Sequence, residues 1–257
     1  MLTGKLYIIV QRYLEGGKVT VNILCMKWGK AYNADYVNKL YNMVRRNLSL
    51  PFVFTCFTDD REGLDLGINV LPLPEIRVPK EYDYSPWRKL SMFRSDLGGL
   101  SGKALFLDLD IVILDKLDCF FEYTKNFAII ENWSQLGRGI GNSSVYCFEI
   151  GKHSYLYELY AEDPLDACQS FDNEQIFLSK HIKGRLEFWP ETWCRSFKRH
   201  SIPRGLAAWF CTPRVPEGCK ILVFHGHPKP HEAIEGRWPG KLLKHVRKTP
   251  WIRNYWY

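Results

Sequence analysis

Short apolar runs and amphipathic stripes alternate along the first third of the chain. Apolar runs of strand length occur at 19–26, 52–57 and 68–73. Between the first two runs, apolar residues recur at helical spacing over 36–48, and Pro51 ends that pattern. This alternation predicts an α/β domain whose central sheet is mostly parallel and carries helices on its faces.

The same pattern continues toward the C-terminus. Ser85-Pro86 predicts the start of a helix whose apolar stripe extends to Leu97. Further elements are predicted as strands at 127–130, 144–150 and 220–224 and as helices at 156–161 and 174–181. The chain beyond Lys183 is otherwise expected to be irregular.

The last residues differ from the rest in composition. Residues 236–257 contain six Lys and Arg residues, several Trp and Tyr residues and no acidic residue. We therefore predict a main domain over 1–230 and a basic, aromatic tail over 231–257. Within the tail, a helix is predicted at 241–248, docked through Leu242, Leu243 and Val246.

Two carboxylates interrupt the apolar run at 104–114. Asp108 and Asp110 lie two residues apart in a segment that otherwise has the composition of a buried strand. Burying an unpaired carboxylate costs several kcal/mol, so the pair is expected at the strand's end, facing a cleft and sharing a cation. A divalent metal held there could in turn bind a diphosphate. The alternative is a pair of solvated carboxylates.

A histidine-rich loop follows the last predicted strand. His225 comes directly after it, where an imidazole suits Mn²⁺ alongside carboxylates. Lys229 could neutralise a departing diphosphate. We expect His227 and His231 to be solvated, although His227 remains an alternative ligand.

The helix before the carboxylate pair carries two cations. Lys89 and Arg94 flank its apolar stripe and could reach diphosphate oxygens above the next strand. The alternative is that both are ordinary surface cations.

Two further polar segments lie at the starts of predicted elements. They are Asn142-Ser143-Ser144 and Asp172-Asn173-Glu174-Gln175. The first could hydrogen-bond sugar hydroxyls or could be simple turn chemistry. The second could only satisfy a helix N-terminus, or it could stabilise a cationic sugar carbon.

Composition narrows the class of partner. The formal net charge of +7 over 257 residues favours a nucleotide, a nucleic acid or an acidic membrane surface. Eight cysteines without zinc-type spacing favour a reducing compartment. The apolar run at 6–10 is too short for a signal peptide or a membrane span. We expect a cytoplasmic protein, with peripheral membrane contact through the tail left open.

Taken in order, these motifs resemble a GT-A-type glycosyltransferase, and in particular the family-8-like bacterial and phage branch. The resemblance covers roughly residues 19 to 232. It is carried by Asp108-Leu109-Asp110, Asn142-Ser143-Ser144, Glu174-Gln175, the loop from His225 to Pro230 and the helix at 87–94. It implies a Rossmann-like sheet flanked by helices and an activity that moves a sugar from a nucleotide-diphospho-sugar, UDP-sugars favoured, to an acceptor hydroxyl.

The resemblance also implies roles on the donor side. Mn²⁺ or Mg²⁺ would be ligated by Asp108, Asp110 and His225, with Asp108 also contacting the ribose. Lys229 would bind the diphosphate. The residues implied to contact the nucleoside are Lys27, Trp28 and Asp59.

On the sugar side, the resemblance implies catalytic roles for Glu174 and Gln175, and Asp172 is a further candidate from the acidic residues that open the same helix. The family pattern more often has Asp before Gln, whereas this chain has Glu174. Retention of the anomeric configuration is favoured, and inversion remains the alternative. The acceptor would be a glycan, a lipid-linked glycan or modified DNA.

Two other classes of function stay open at this level. The sequence Asp108-Leu109-Asp110-Ile111-Val112 also fits a haloacid-dehalogenase-like phosphatase, with Asp108 as nucleophile and Asp110 as general acid. The long segment before the motif argues against that reading. A non-catalytic module that binds anionic ligands through the tail is the second alternative.

Overall fold

The computed structural model describes residues 20–83, 85–124, 126–184, 186–240 and 244–257. The apolar run at 6–10 lies outside the described residues, as do Leu242 and Leu243 of the predicted tail helix.

Ten strands and seven α-helices are found in the described parts of the chain. The strands are β1 Val21–Lys27, β2 Phe52–Thr58, β3 Asn69–Leu71, β4 Lys103–Leu107, β5 Ile111–Ile113, β6 Ala128–Glu131, β7 Gly141–Glu149, β8 Glu187–Phe188, β9 Cys194–Ser196 and β10 Ile221–Val223. The α-helices are α1 Ala34–Asn47, α2 Asp118–Glu122, α3 Ser154–Glu162, α4 Pro164–Ser170, α5 Glu174–His181, α6 Ala207–Phe210 and α7 Pro230–Glu235. The other helical segments are 3₁₀ helices at Lys80–Tyr82, Pro86–Phe93 and Pro250–Asn254 and a π-helical turn at Phe197–Ser201.

Seven strands form the main sheet, in the order β3-β2-β1-β4-β7-β6-β8. The four strands β3, β2, β1 and β4 are parallel, and β7 runs antiparallel to both β4 and β6. A second sheet has the order β5-β10-β9. The prediction of a mostly parallel α/β sheet flanked by helices is confirmed.

Side chains of β1 alternate between two apolar layers. Ile23 and Cys25 belong to the layer beneath α1, whereas Leu24 and Met26 belong to the layer beneath the segment Pro86–Phe93. A strand covered on both faces needs apolar residues at successive positions, which explains the apolar residues from Ile23 to Met26.

The apolar run at 104–114 is not one strand, as the pattern predicted, but two. β4 ends at Leu107 in the main sheet and β5 begins at Ile111 in the second sheet. Between them, the Asp108 N–H donates to the Ser144 carbonyl at 2.9 Å, and the Asp110 carbonyl accepts from the Phe224 N–H at 2.8 Å. The chain therefore changes sheets at the carboxylate pair, where a regular ladder would leave both side chains in an apolar layer.

Two local predictions are also corrected. The segment Pro86–Phe93 is a 3₁₀ helix rather than an α-helix, and Arg94 follows it in extended conformation. Asn142-Ser143-Ser144 lies inside β7 instead of preceding the strand. All three of its side chains are buried there, and Asn142 Oδ1 accepts a local hydrogen bond from the Ser144 N–H at 3.1 Å.

The described part of the tail packs against the main core. Val246, Ile252 and Trp256 are buried in the same apolar layer as α1. Residues 244–248 are not helical, so the helix predicted at 241–248 is wrong for its described part. The backbone pairs elsewhere instead, as the Thr249 N–H donates to the Ala233 carbonyl at 3.0 Å. The division at 230/231 remains a prediction.

The eight cysteines are all free. No helix of the described residues has the length and apolarity needed to cross a bilayer.

Candidate functional site

Asp108 lies at the C-terminal end of β4 and forms a buried ion pair. The Lys89 ammonium contacts both of its carboxylate oxygens, Oδ1 at 2.6 Å and Oδ2 at 2.8 Å. Burial raises the pKa of the Asp108 carboxyl, and the Lys89 charge opposes that rise. Burial disfavours the charged form of Lys89, but Asp108 and Glu174 together raise the pKa of its ammonium. The 3₁₀ helix Pro86–Phe93 thus places the Lys89 ammonium at the C-terminal end of β4.

Asp110 is the centre of a second cluster. Its Oδ2 accepts a hydrogen bond from the Tyr32 hydroxyl at 2.7 Å and lies 2.9 Å from the Lys229 ammonium. Lys229 also donates to the Tyr32 hydroxyl. Burial and the Asp110 charge together raise the pKa of that hydroxyl, so it remains a donor. Both carboxylates of the pair therefore have a lysine partner.

His225 comes one residue after the backbone contact that joins Phe224 to Asp110. Its Nε2 forms a 2.7 Å hydrogen bond with the Ser196 hydroxyl, and its ring stacks on Trp133 at a centroid distance of 5.7 Å. Burial, followed by the Lys198 charge, lowers the pKa of the imidazole to about 4. The ring is therefore neutral near pH 7.

The other two histidines of the loop have protein partners of their own. His227 Nδ1 contacts Glu232 at 2.7 Å, and the same carboxylate accepts from the Lys229 N–H at 2.6 Å. His231 Nδ1 contacts the Tyr36 hydroxyl at 2.6 Å. These contacts tie the loop to α7 and α1. His227 is exposed, whereas His231 is half-buried.

Glu174 is the most buried carboxylate of the site. It opens α5, is 1% exposed, and accepts a 2.7 Å hydrogen bond from the Ser143 hydroxyl at Oε1. Oε2 has no hydrogen-bond partner among the described residues. Burial raises the pKa of this carboxyl, although Lys89 opposes the effect. A buried, half-satisfied carboxylate beside two polar strand residues is suited to a ligand hydroxyl.

The ends of β1 and β2 form a linked pair of loops. The buried Lys27 ammonium contacts the Asp60 carbonyl at 3.1 Å and its carboxylate at 3.5 Å. The Asp59 carboxylate accepts from the Gly29 N–H at 3.0 Å. Trp28, between them, is half-buried against the second apolar layer. The residues predicted to contact a nucleoside thus meet at one edge of the sheet.

Three predicted site residues are placed less favourably. The Arg94 guanidinium donates to the Glu75 carbonyl at 3.2 Å and to the Tyr157 hydroxyl at 2.8 Å, outside the group around Asp108. Asp172 is exposed, and Asn173 rather than Asp172 caps α5. Gln175 is half-exposed, and its backbone N–H donates to that cap at 3.1 Å.

The structure adds three residues that the sequence reading missed. Tyr32 and Ser196 hold Asp110 and His225, as described above. Lys198 lies on the π-helical turn, and its ammonium lies close to Gly226, the residue after His225. The distance from the ammonium to the position that a Cβ on Gly226 would occupy is 3.4 Å. Only Tyr32 had a sequence signal, because it belongs to the loop after β1.

A cavity of about 320 Å³ adjoins the site. Trp133, whose ring stacks on His225, forms part of its wall. The rest of the lining combines apolar and acidic groups, namely Ile130, Glu131, Leu136, Trp189, Pro190, Glu191 and Cys194. Aromatic faces and carboxylates together suit a polyhydroxylated ligand with apolar C–H faces.

The donor types fit a divalent ion, although the described residues contain no ready cluster of three or more His, Cys, Asp or Glu ligands. Asp108 and Asp110 supply hard oxygens, and the neutral His225 ring has a lone pair available. Holding an ion between Asp110 and His225 would exchange the present contacts to Lys229 and Ser196 for metal bonds.

Comparisons with known proteins identify the fold. No protein-family model matches the chain, and no curated protein matches it. A solved structure of the galactosyltransferase LgtC, in complex with donor and acceptor sugar analogues, superposes with a TM-score of 0.58 at 12% identity, over 81% of this chain and 88% of that chain. An active-site mutant of LgtC gives a TM-score of 0.53 at 12% identity, over 81% and 89%. The chain therefore has the GT-A fold, as predicted.

Proposed function

We propose that this protein is a glycosyltransferase that moves a sugar from a nucleotide-diphospho-sugar to an acceptor hydroxyl. One observation carries the proposal. Four charged residues lie together where the chain leaves the main sheet of a GT-A fold after β4, namely Asp108, Asp110, Lys229 and Glu174. In open α/β sheets, ligands bind beyond the carboxyl ends of the parallel strands. The fold makes the LgtC activity a reasonable analogy, and the side chains supply the chemistry.

The donor nucleoside, with a UDP-sugar favoured, would lie against the linked loops after β1 and β2. Lys27 and Asp59 are already fixed there by hydrogen bonds, and Trp28 offers a half-buried ring for stacking. Asp108 would face the ribose. Preformed loops reduce the entropy lost on binding.

Mn²⁺ or Mg²⁺ would be held by Asp108, Asp110 and His225. When bound, such an ion supplies positive charge to diphosphate oxygens. Lys229 would add positive charge from the protein itself. Its ammonium now contacts Asp110 and would bind the diphosphate when that contact is released. His225 enters this arrangement as a neutral ring.

Group transfer would break the bond between the anomeric carbon and the diphosphate oxygen, which leaves with the electron pair. Lys229 stabilises the negative charge that develops there. Glu174, with its free Oε2, and Gln175 would face the sugar and stabilise its cationic carbon. The acceptor hydroxyl oxygen forms the new bond to the anomeric carbon and its proton passes to the departing diphosphate, with retention as the favoured outcome.

The cavity beside Trp133 is the proposed acceptor subsite. It shares the Trp133 ring with His225, so a ligand in the cavity would approach the donor side of the site. Its carboxylates, Glu131 and Glu191, would accept hydrogen bonds from sugar hydroxyls. A glycan, free or lipid-linked, suits this lining better than the anionic backbone of DNA.

The test screens nucleotide sugars for thermal stabilisation with and without Mn²⁺, followed by nucleoside diphosphate release and the product anomer by NMR. We expect one donor to raise Tm and to be turned over. Asp110→Asn should abolish turnover, whereas Asp35→Asn, which alters an exposed pair with Lys39, should not. Equal turnover by Asp110→Asn and the wild type would reject the proposal.

Neither alternative function is favoured by an observation. In the phosphatase reading, Asp108 would attack phosphorus, yet Lys89 contacts both of its carboxylate oxygens. In the binding-module reading, the buried Glu174 with an unpartnered oxygen has no role.

A further inference from the structure

Three large apolar side chains are exposed together on α6 and the residue before it. Leu206 is 80% exposed, Phe210 is 78% exposed and Trp209 is 49% exposed. Single exposed apolar residues are ordinary, and Leu66, exposed by itself, is an example here. Three within five positions form a patch that calls for a partner. We refer to Leu206, Trp209 and Phe210 as the apolar patch.

The apolar patch contacts the tail through Trp209, and a second contact to the tail lies close by in the chain. The Trp209 ring stacks on the His245 imidazole with a centroid distance of 4.6 Å and an interplanar angle of 2°. Close by in the chain, the Pro213 carbonyl accepts a 2.8 Å hydrogen bond from the Trp251 indole. The patch and the tail therefore present one continuous surface.

Exposed cations lie next to the patch and next to His245 along the chain. Exposed cations come from both segments, namely Arg204, Arg214, Lys244, Arg247 and Lys248. No acidic residue occurs between Glu191 and Glu217, and none follows Glu235. A partner that covers the patch must therefore be apolar in its interior and anionic at its surface.

We propose that the apolar patch and the exposed cations of the same two segments dock this protein onto an anionic lipid bilayer. Leu206 and Phe210 would enter the boundary between headgroups and acyl chains, Trp209 would lie at headgroup level, and the cations would contact lipid phosphates. The attachment is peripheral and is independent of the proposed activity.

The positive charge alone would also suit a nucleic acid, but the exposed apolar side chains do not suit that partner. Leu206 has no aromatic face on which a base could stack, and it is the most exposed member of the patch. One face of the Trp209 ring is already covered by His245. Exposed apolar side chains together with exposed cations in the same two segments match a bilayer surface.

The test is co-sedimentation of the full chain with vesicles of phosphatidylcholine, with or without phosphatidylglycerol. The wild type should bind the anionic vesicles more tightly, and added salt should weaken that binding. The double variant Leu206→Ser/Phe210→Ser should bind them at least about tenfold more weakly. Leu66→Ser removes a fully exposed leucine elsewhere and should bind like the wild type.

Several results would overturn the proposal. Absence of wild-type binding to anionic vesicles is one, and unchanged binding by Leu206→Ser/Phe210→Ser is another. A concentration-dependent doubling of mass that the double variant abolishes would assign the patch to a second copy of the chain. Circular dichroism and Tm of each variant verify that the exposed substitutions leave the fold intact.

Discussion

The ion pair between Lys89 and Asp108 offers a quantitative test of how the site is held. The two side chains are 10% and 19% exposed, and the ammonium lies 2.6 Å and 2.8 Å from the two oxygens. At an effective dielectric constant of about 20, charges about 2.7 Å apart attract by roughly 6 kcal/mol before desolvation is subtracted. Lys89→Met keeps most of the aliphatic stem and removes only the charge. The free energy of unfolding should fall by about 3 kcal/mol, because Asp108 is left buried and unpaired.

The assay is urea denaturation of four proteins: wild type, Lys89→Met, Asp108→Asn and the double variant. The double variant should be more stable than the sum of the single losses predicts, by about 2 kcal/mol, since it leaves no unpaired charge. Lys39→Met is the matched control. It breaks an exposed pair with Asp35 of similar length, 2.8 Å, and a cation–π contact with the Trp256 ring at 4.0 Å, and should cost no more than about 1.5 kcal/mol.

The same variant has a defined pH dependence. Without Lys89, the main effect that lowers the pKa of Asp108 is gone, while burial and the Asp110 charge still raise it, so its folded-state pKa rises further above the unfolded value. A carboxyl with a raised folded-state pKa stabilises the fold only while it is protonated, so that contribution is lost as the pH rises. The stability gap between wild type and Lys89→Met should widen from pH 5 to pH 8. A loss no larger than that of Lys39→Met, or a gap that narrows over this range, would refute the reasoning.

Three further outcomes follow from separate features. Burial lowers the pKa of His153 to about 4. Its neutral ring therefore stabilises the fold above pH 6.5, and this contribution is lost as the pH falls. His153→Phe should reduce the fall of the urea midpoint between pH 7 and pH 5. Trp256 is 5% exposed against Tyr36, and Trp256→Ala should lower the free energy of unfolding by about 3 kcal/mol in urea. Lys229→Met should weaken nucleoside diphosphate binding at least about tenfold by calorimetry, because a charge-assisted hydrogen bond is lost.

Each of these outcomes has a clear opposite. An unchanged pH slope in His153→Phe would mean that the buried ring does not control acid sensitivity. A Trp256→Ala variant as stable as the wild type would show that the tail adds nothing to the core. Undiminished diphosphate affinity in Lys229→Met would remove that residue from the proposed donor site.

Much of the fold was predictable because its signals are local. The strands near 19–26 and 52–57 have continuous apolar runs, and the helix at 174–181 has the predicted bounds. The change of sheet at Asp108 was not predictable, since apolarity reports burial and carries no information on which neighbour a strand pairs with. The tail helix failed for a related reason, because the Thr249 N–H is satisfied by a distant carbonyl.

The candidate site was predictable in its acidic residues and less so in their partners. Asp108 and Asp110 are conspicuous because burying charge is costly. Their neighbours Lys89 and Tyr32 come from other parts of the chain, and only the fold brings them within 2.8 Å and 2.7 Å. Arg94 has the same local pattern as Lys89 but is drawn to Tyr157 instead.

The antiparallel pairing of β5 with β10 fixes the distance between Asp110 and His225. Ile111 is paired with Val223, so Asp110 and Phe224 flank the same rung and His225 follows at once. A shift of one residue in this register would turn His225 to the opposite face. The spacing between these chemical groups is thus encoded by one pair of strands and is insensitive to the length of the chain that connects them. Insertions in the loops between β5 and β10 can therefore leave the spacing of Asp110 and His225 unchanged.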